Sequence, residues 1–123
     1  MSAAAHVLVE FPARPEFLRL ARLAAADMGS RAGFDYEEVE DLRIAVSELC
    51  AMISGDTDAP LALSFELSDD AVRVEGSSPA RDAAPPPDDL ELAQGLVAAV
   101  VDEHEVTRDD GVARFWLVKR RQR

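Results

Sequence analysis

The chain has 123 residues, 48% of them apolar, and its 24 acids against 13 bases give a formal net charge of -11. That length allows a single hydrophobic core and is too short for a catalytic domain plus a separate regulatory one, while the negative charge repels phosphate backbones and argues against direct nucleic-acid binding. No stretch reaches the roughly 18 to 20 apolar residues of a membrane helix; MSAAAHVLVEF lacks the positive start of a secretory signal, and the single Cys50 cannot form an internal disulfide, so one cytoplasmic domain over residues 1–123 is expected.

In chain order, Val7, Val9 and Phe11 alternate with His6, Leu8 and Glu10, which predicts a short strand over 6–13 ended by Pro12. From Pro15 the apolar residues recur at helical intervals, from Phe17 through Leu20, Ala24 and Met28, and the run stops near Gly29 to Gly33. Asp35 then reads as a helix N-cap with Glu38 as its capping-box partner. The helix it opens carries Val39, Leu42, Val46, Leu49 and Ile53 on one stripe and ends near Ser54.

LALSFELSDDAVRVEG predicts a hairpin turning at Ser68 to Asp70. Residues 77–89, with four of the seven prolines, read as a loop that builds no core. A third helix is expected over roughly Asp88 to Asp102, with acids in its first turn. A last hairpin turns at Asp109, Asp110 and Gly111. One of Phe115 and Trp116 should face the core, and the basic end Lys119 to Arg123 reads as solvated. The fold class that follows is α+β, a two-layer sandwich with helices on one face of a mostly antiparallel sheet.

Other chemical candidates resolve into structural readings. Asp102 to Glu105, DEHE, holds metal-ligand residue types, but neighbouring positions point in different directions and cannot converge on one ion, so no metal site is assigned. Cys50 has only Arg43 as a basic residue at helical spacing and reads as a buried small hydrophobe. His6 has no nucleophile implied beside it.

FDYEEVEDLRIAVSELC, the hairpin after it, PDDLELAQGLVAAVVDEHEV and GVARFWLVKR resemble, in order and spacing, the RsbW-like anti-sigma factors. These are serine-protein kinases with a histidine-kinase-type (GHKL) ATPase fold, and the resemblance runs from about Val7 to Lys119. It implies that the second helix carries a glutamate followed four residues later by an asparagine that helps to hold the magnesium of ATP. Glu48 matches the glutamate, as a candidate general base toward a target serine or a relic of that role; the asparagine position is Met52. The i, i+4 spacing keeps both on one helix face, but a thioether is a poor ligand for a hard cation.

The family's Asp-x-Gly-x-Gly turn should follow AVRVE, which ends at Glu75; what stands there is GSSPARD, beginning at Gly76. Its Gly-Leu-Gly-Leu turn falls on Glu91, Leu92, Ala93 and Gln94, with Gly95 displaced. Residues 77–89 stand in place of the ATP lid. Glu48, Met52, Glu75, Gly76 and Gly95 are thus the candidates for a vestigial nucleotide groove, with ATP and magnesium as the only candidate cofactors. The implied role is an anti-sigma regulator that sequesters a sigma factor until a STAS-domain antagonist displaces it, usually as a homodimer, with weak or lost ATP binding. The alternative is an active serine kinase that phosphorylates the antagonist. A third reading is a sensor whose altered groove holds another ligand. Asp35, Glu37, Glu38, Glu40 and Asp41 are the candidate partner surface, or else a solvated helix face.

Overall fold

The computed structural model describes residues 5–54, 58–79 and 90–122. Its elements run β1 (Ala5–Pro12), a 3-10 turn (Pro15–Phe17), α1 (Leu18–Arg31), α2 (Tyr36–Ile53), β2 (Pro60–Leu67), β3 (Ala71–Pro79), α3 (Leu90–Val100), β4 (Glu103–Asp109) and β5 (Val112–Arg120). The five strands form one sheet in the order β1-β2-β3-β5-β4, every neighbouring pair antiparallel. The α+β class and the helix layer on one face are as the alternation and periodicity predict.

Local chemistry sets the boundaries. α1 ends where Gly33 takes φ 83, Gly33 N–H donates to Ser30 O, and Phe34 N–H donates to Gly29 O. This is the left-handed glycine stop, with Phe34 buried against the helix it closes. The α2 capping box is complete: Glu38 N–H donates to Asp35 Oδ1 at 2.8 Å and Asp35 N–H to Glu38 Oε1 at 2.9 Å. Asp110 and Gly111, at φ 51 and φ 75, make the two-residue turn between β4 and β5, the conformation that Asp-Gly favours.

Strand alternation sends Phe11, Leu61, Leu63, Phe65, Val72 and Val74 to the helix side, where they meet Leu42, Val46, Leu49 and Ile53 of α2. Phe115 joins them, 2% exposed, and Trp116 takes the opposite face. Only Val97 of α3 is fully buried, and Leu92 and Leu96 stand exposed.

Two boundaries differ from the sequence reading. β3 continues through Ser77 and Ser78 to Pro79, because Ala113 and Val112 of β5 go on pairing with it and the buried Ser78 donates its hydroxyl to Pro60 O at 3.0 Å. The expected loop therefore begins later, and its remainder, 80–89, lies outside the described residues. The basic C-terminal end is also not solvated as a whole. Lys119 is 5% exposed on the inner face, Arg121 N–H donates to Asp70 O, and Gln122 N–H donates to Glu38 Oε2.

Candidate functional site

The 3.6-residue period of α2 that buries Leu42, Leu49 and Ile53 places Asp41, Glu48 and Met52 along one flank. That flank turns toward the end of α3. Asp41 Oδ2 lies 3.8 Å from Lys119 Nζ, which donates to Val100 O at 2.8 Å. Glu48 is half-buried, and its carboxylate has no hydrogen-bond or ion-pair partner among the described residues. It borders a shallow cavity of about 180 Å³ that reaches α1, where Arg22 donates to Ser47 Oγ at 3.3 Å and Arg43 to Glu40 at 2.5 Å.

Met52 is 3% exposed and belongs to the core, so its side chain is spent on packing. Its main-chain oxygen accepts from Arg108 Nη2 of β4 at 2.5 Å, which puts a guanidinium at the negative end of α2. Positions 48 and 52 therefore supply one carboxylate and one buried thioether. That donor set does not fit magnesium, which asks for oxygens in an octahedron.

None of the other candidate nucleotide residues lines the cavity beside Glu48. Glu75 and Gly76 are adjacent on β3 and point to opposite faces. Glu75 is on the outer face, accepting from Arg73 Nε at 3.1 Å, so its expected place in the groove is corrected by the pleat of the strand. Gly76 faces inward beneath Phe115, whose ring would stand 2.3 Å from a β-carbon there. Packing accounts for this glycine. Gly95 is exposed in the interior of α3, with nothing within 4 Å of a β-carbon. Its amide belongs to the helical ladder rather than to an anion-binding turn.

The acidic group at the start of α2 is also divided. Asp35 and Glu38 cap the helix, and Glu38 is 5% exposed with both oxygens occupied, by Asp35 N–H and Gln122 N–H. Glu38 is therefore not a surface residue, which corrects its place in the partner surface. Glu40 pairs with Arg43, Asp41 faces Lys119, and Glu37 is exposed.

Along DEHE the side chains alternate. Glu103 pairs with Arg120 at 2.8 Å and Glu105 accepts from Trp116 Nε1 at 3.1 Å on the outer face, while His104 turns inward. Cys50 is buried, and desolvation pushes its thiol up to about 12. His6 does have a hydroxyl beside it, Ser64 Oγ at 2.6 Å from Nε2, because Ser64 of β2 lies diagonally across the ladder on the same outer face.

Arg22 and Arg108 escaped the sequence reading, and Lys119 was read as solvated. A signal for two of them was present: Arg108 is in phase with Val106 and Lys119 with Leu117, so both had to point inward and find partners there.

The family model described as "Histidine kinase-like ATPase domain" matches residues 11–119, which fixes the class. The serine-protein kinase RsbW of Halalkalibacterium halodurans is 30% identical over 121 residues, covering 82% of this chain and 75% of that protein. The RsbW of Listeria innocua serovar 6a is 36% identical over 76 residues, 58% of this chain and 48% of its own length, so the chain spans about half of the Listeria relative it matches. Among solved structures, the RsbU and RsbW domains of Rv1364c from Mycobacterium tuberculosis share the fold at a TM-score of 0.70 and 17% identity, over 94% of this chain and 32% of that one. The chain belongs to the RsbW-like branch of the histidine kinase-like ATPase family. Among the described residues no helix is long and apolar enough to cross a membrane.

Proposed function

We propose that this protein is a cytoplasmic partner-switching regulator that binds and sequesters a sigma factor until a STAS-domain antagonist displaces it, with ATP binding that is weak or lost. The observation that carries the second half is the donor set on α2, where the buried thioether of Met52 stands beside Glu48 in place of an oxygen ligand. Phosphoryl transfer rests on positioning and on charge neutralisation by metal and backbone, so losing the metal's ligand weakens the reaction at its base. Family membership supports the first half. Sigma factors bind nucleic acid through basic patches, and a partner of net charge -11 attracts them. Asp35, Glu37, Glu40 and Asp41 form the acidic end of α2 proposed to meet them.

The test is capture of sigma factors from the same genome on the immobilised chain, with and without magnesium-ATP, followed by competition with the antagonist. The proposal expects a complex that forms equally in both conditions and yields to the antagonist; a complex that needs magnesium-ATP, or none, contradicts it. One observation favours a second reading, an active serine kinase: Glu48 is half-buried and unpaired among the described residues, as a general base must be to accept a proton. Magnesium-dependent transfer of phosphate to an antagonist serine, abolished by Glu48→Gln, would establish that reading.

A further inference from the structure

The outer face of the sheet, away from the helices, holds a depression that neither reading uses. Register sets Leu8, Ser64, Glu75 and Trp116 in one row across the strands and Ala62, Ser77, Arg114 and Thr107 in the next. Between the rows lies a hollow of about 260 Å³, floored by the backbone of Leu63, Gly76 and Phe115. It continues past Ala62, Ser77 and Arg114 into a second hollow of about 310 Å³ that Glu10 borders.

Among the described residues, two charges around these hollows are not engaged, Arg114 and, on β1, Glu10. Trp116 is held from two sides, its Nε1–H donating to Glu105 at 3.1 Å and the Arg73 guanidinium 4.8 Å from its ring centroid. Arg73 also pairs with Glu75 at 3.1 Å, so Arg73, Glu75 and Glu105 are all engaged. Arg114 has no ion-pair or hydrogen-bond partner among the described residues, and its direct cross-strand neighbours are the hydroxyls of Ser77 and Thr107. A guanidinium flanked by neutral donors is a ready seat for an anion, most of all a planar carboxylate that it can hold by two hydrogen bonds.

We propose that this depression binds a small monocarboxylic acid with an apolar or aromatic body. The carboxylate sits on Arg114 with the Ser77 and Thr107 hydroxyls as further donors, and the body lies against the fixed ring of Trp116, Ala62 and the side chain of Leu8, which is otherwise 71% exposed. Glu10 and the nearby Glu75 and Glu105 disfavour a second negative group, which selects a monoanion over phosphate. The first hollow alone, at about 260 Å³, holds about one ring or a short chain beside the carboxylate. The site lies on the face opposite Glu48 and Met52, so it stands whether or not the regulator reading does.

Trp116 is the chain's only tryptophan, so its emission reports on the hollow directly. The full chain is titrated with 3-phenylpropionate and with octanoate, beside 3-phenylpropionamide and inorganic phosphate. The proposal expects a saturable change in emission with the two acids at Kd of about 1 mM or tighter, and at least about tenfold weaker responses to the amide and to phosphate. Arg114→Gln, an exposed substitution compatible with the fold, should weaken the acids by at least about tenfold. Arg19→Gln, on the exposed side of α1, should change nothing. Absence of saturation, equal binding of the amide, or full binding by Arg114→Gln overturns the proposal. So does a dimer, seen by light scattering, in which acrylamide no longer reaches Trp116, because the face would then be filled by a second copy.

Discussion

Substituting Gly76 by alanine separates the two roles this glycine can have, a backbone approach to nucleotide or a space for Phe115. Its φ is not among the positive values of the described chain, so the strand geometry suits alanine. In open space Gly76→Ala would therefore stabilise by about 0.4–1 kcal/mol through the unfolded chain. Three atoms of the Phe115 ring, at 2.3, 2.7 and 2.9 Å from the added carbon, reverse that sign. The ring is 2% exposed and packed, so it cannot swing clear without disturbing its neighbours. Overpacking of this kind costs about 1–3 kcal/mol, or a fall in Tm of roughly 4–12 °C in a domain of this size. Urea unfolding of Gly76→Ala, Phe115→Leu and the double variant measures it. The clash predicts that Gly76→Ala costs less than about half as much in the Phe115→Leu background as in the wild type. A stabilised single variant, or equal costs in both backgrounds, refutes the reasoning.

Cys50 gives a pH dependence with a definite sign. Its thiol is raised from 9.0 to about 12 on folding, so between those values the folded state keeps a proton that the unfolded state has lost. This contribution is fully present below pH 9 and declines as pH rises toward 12, by up to about 1.4 kcal/mol per unit; the stability gap between wild type and Cys50→Ala, followed by urea unfolding from pH 8 to 11, should shrink accordingly. Glu38→Ala leaves the Asp35 and Gln122 amides without their acceptor and should cost about 1–3 kcal/mol in chemical denaturation, while the exposed Glu37→Ala stays within about 0.5 kcal/mol. Lys119→Met removes the bond to Val100 O and the charge facing Asp41, with an expected loss of about 1–3 kcal/mol in the same assay.

Much of the fold was legible because it is written locally. Asp35 and Glu38 mark a helix start by chemistry that acts over three residues, Gly33 and Asp110-Gly111 mark turns by backbone freedom, and alternation or 3.6-residue spacing marks the rest. What was hidden depends on contacts far apart in the chain. β3 extends to Pro79 because β5 continues to pair with it, and Glu38 is buried because Gln122, 84 positions on, returns to it. Lys119 looked like part of a basic tail, yet its strand phase turns it inward to Val100 O.

The candidate site divides the same way. Helical spacing placed Glu48 and Met52 together on α2, but no local signal said that Met52 was committed to the core, and the inward phase of Arg108 did not name the Met52 carbonyl as its partner. Glu75 was assigned by its place at the end of the AVRVE strand, whereas its side-chain direction is set by the pleat, which carries it to the far face beside Trp116.

The most direct test of weak or lost ATP binding is calorimetric titration of the chain with ATP in millimolar magnesium, repeated in EDTA and with Met52→Asn. The donor set on α2 predicts no magnesium-dependent binding by the wild type at concentrations up to about 1 mM, and a gain of it in Met52→Asn where the core tolerates the change. Binding of magnesium-ATP by the wild type with a micromolar Kd that EDTA abolishes would contradict it and return the chain to the active kinases.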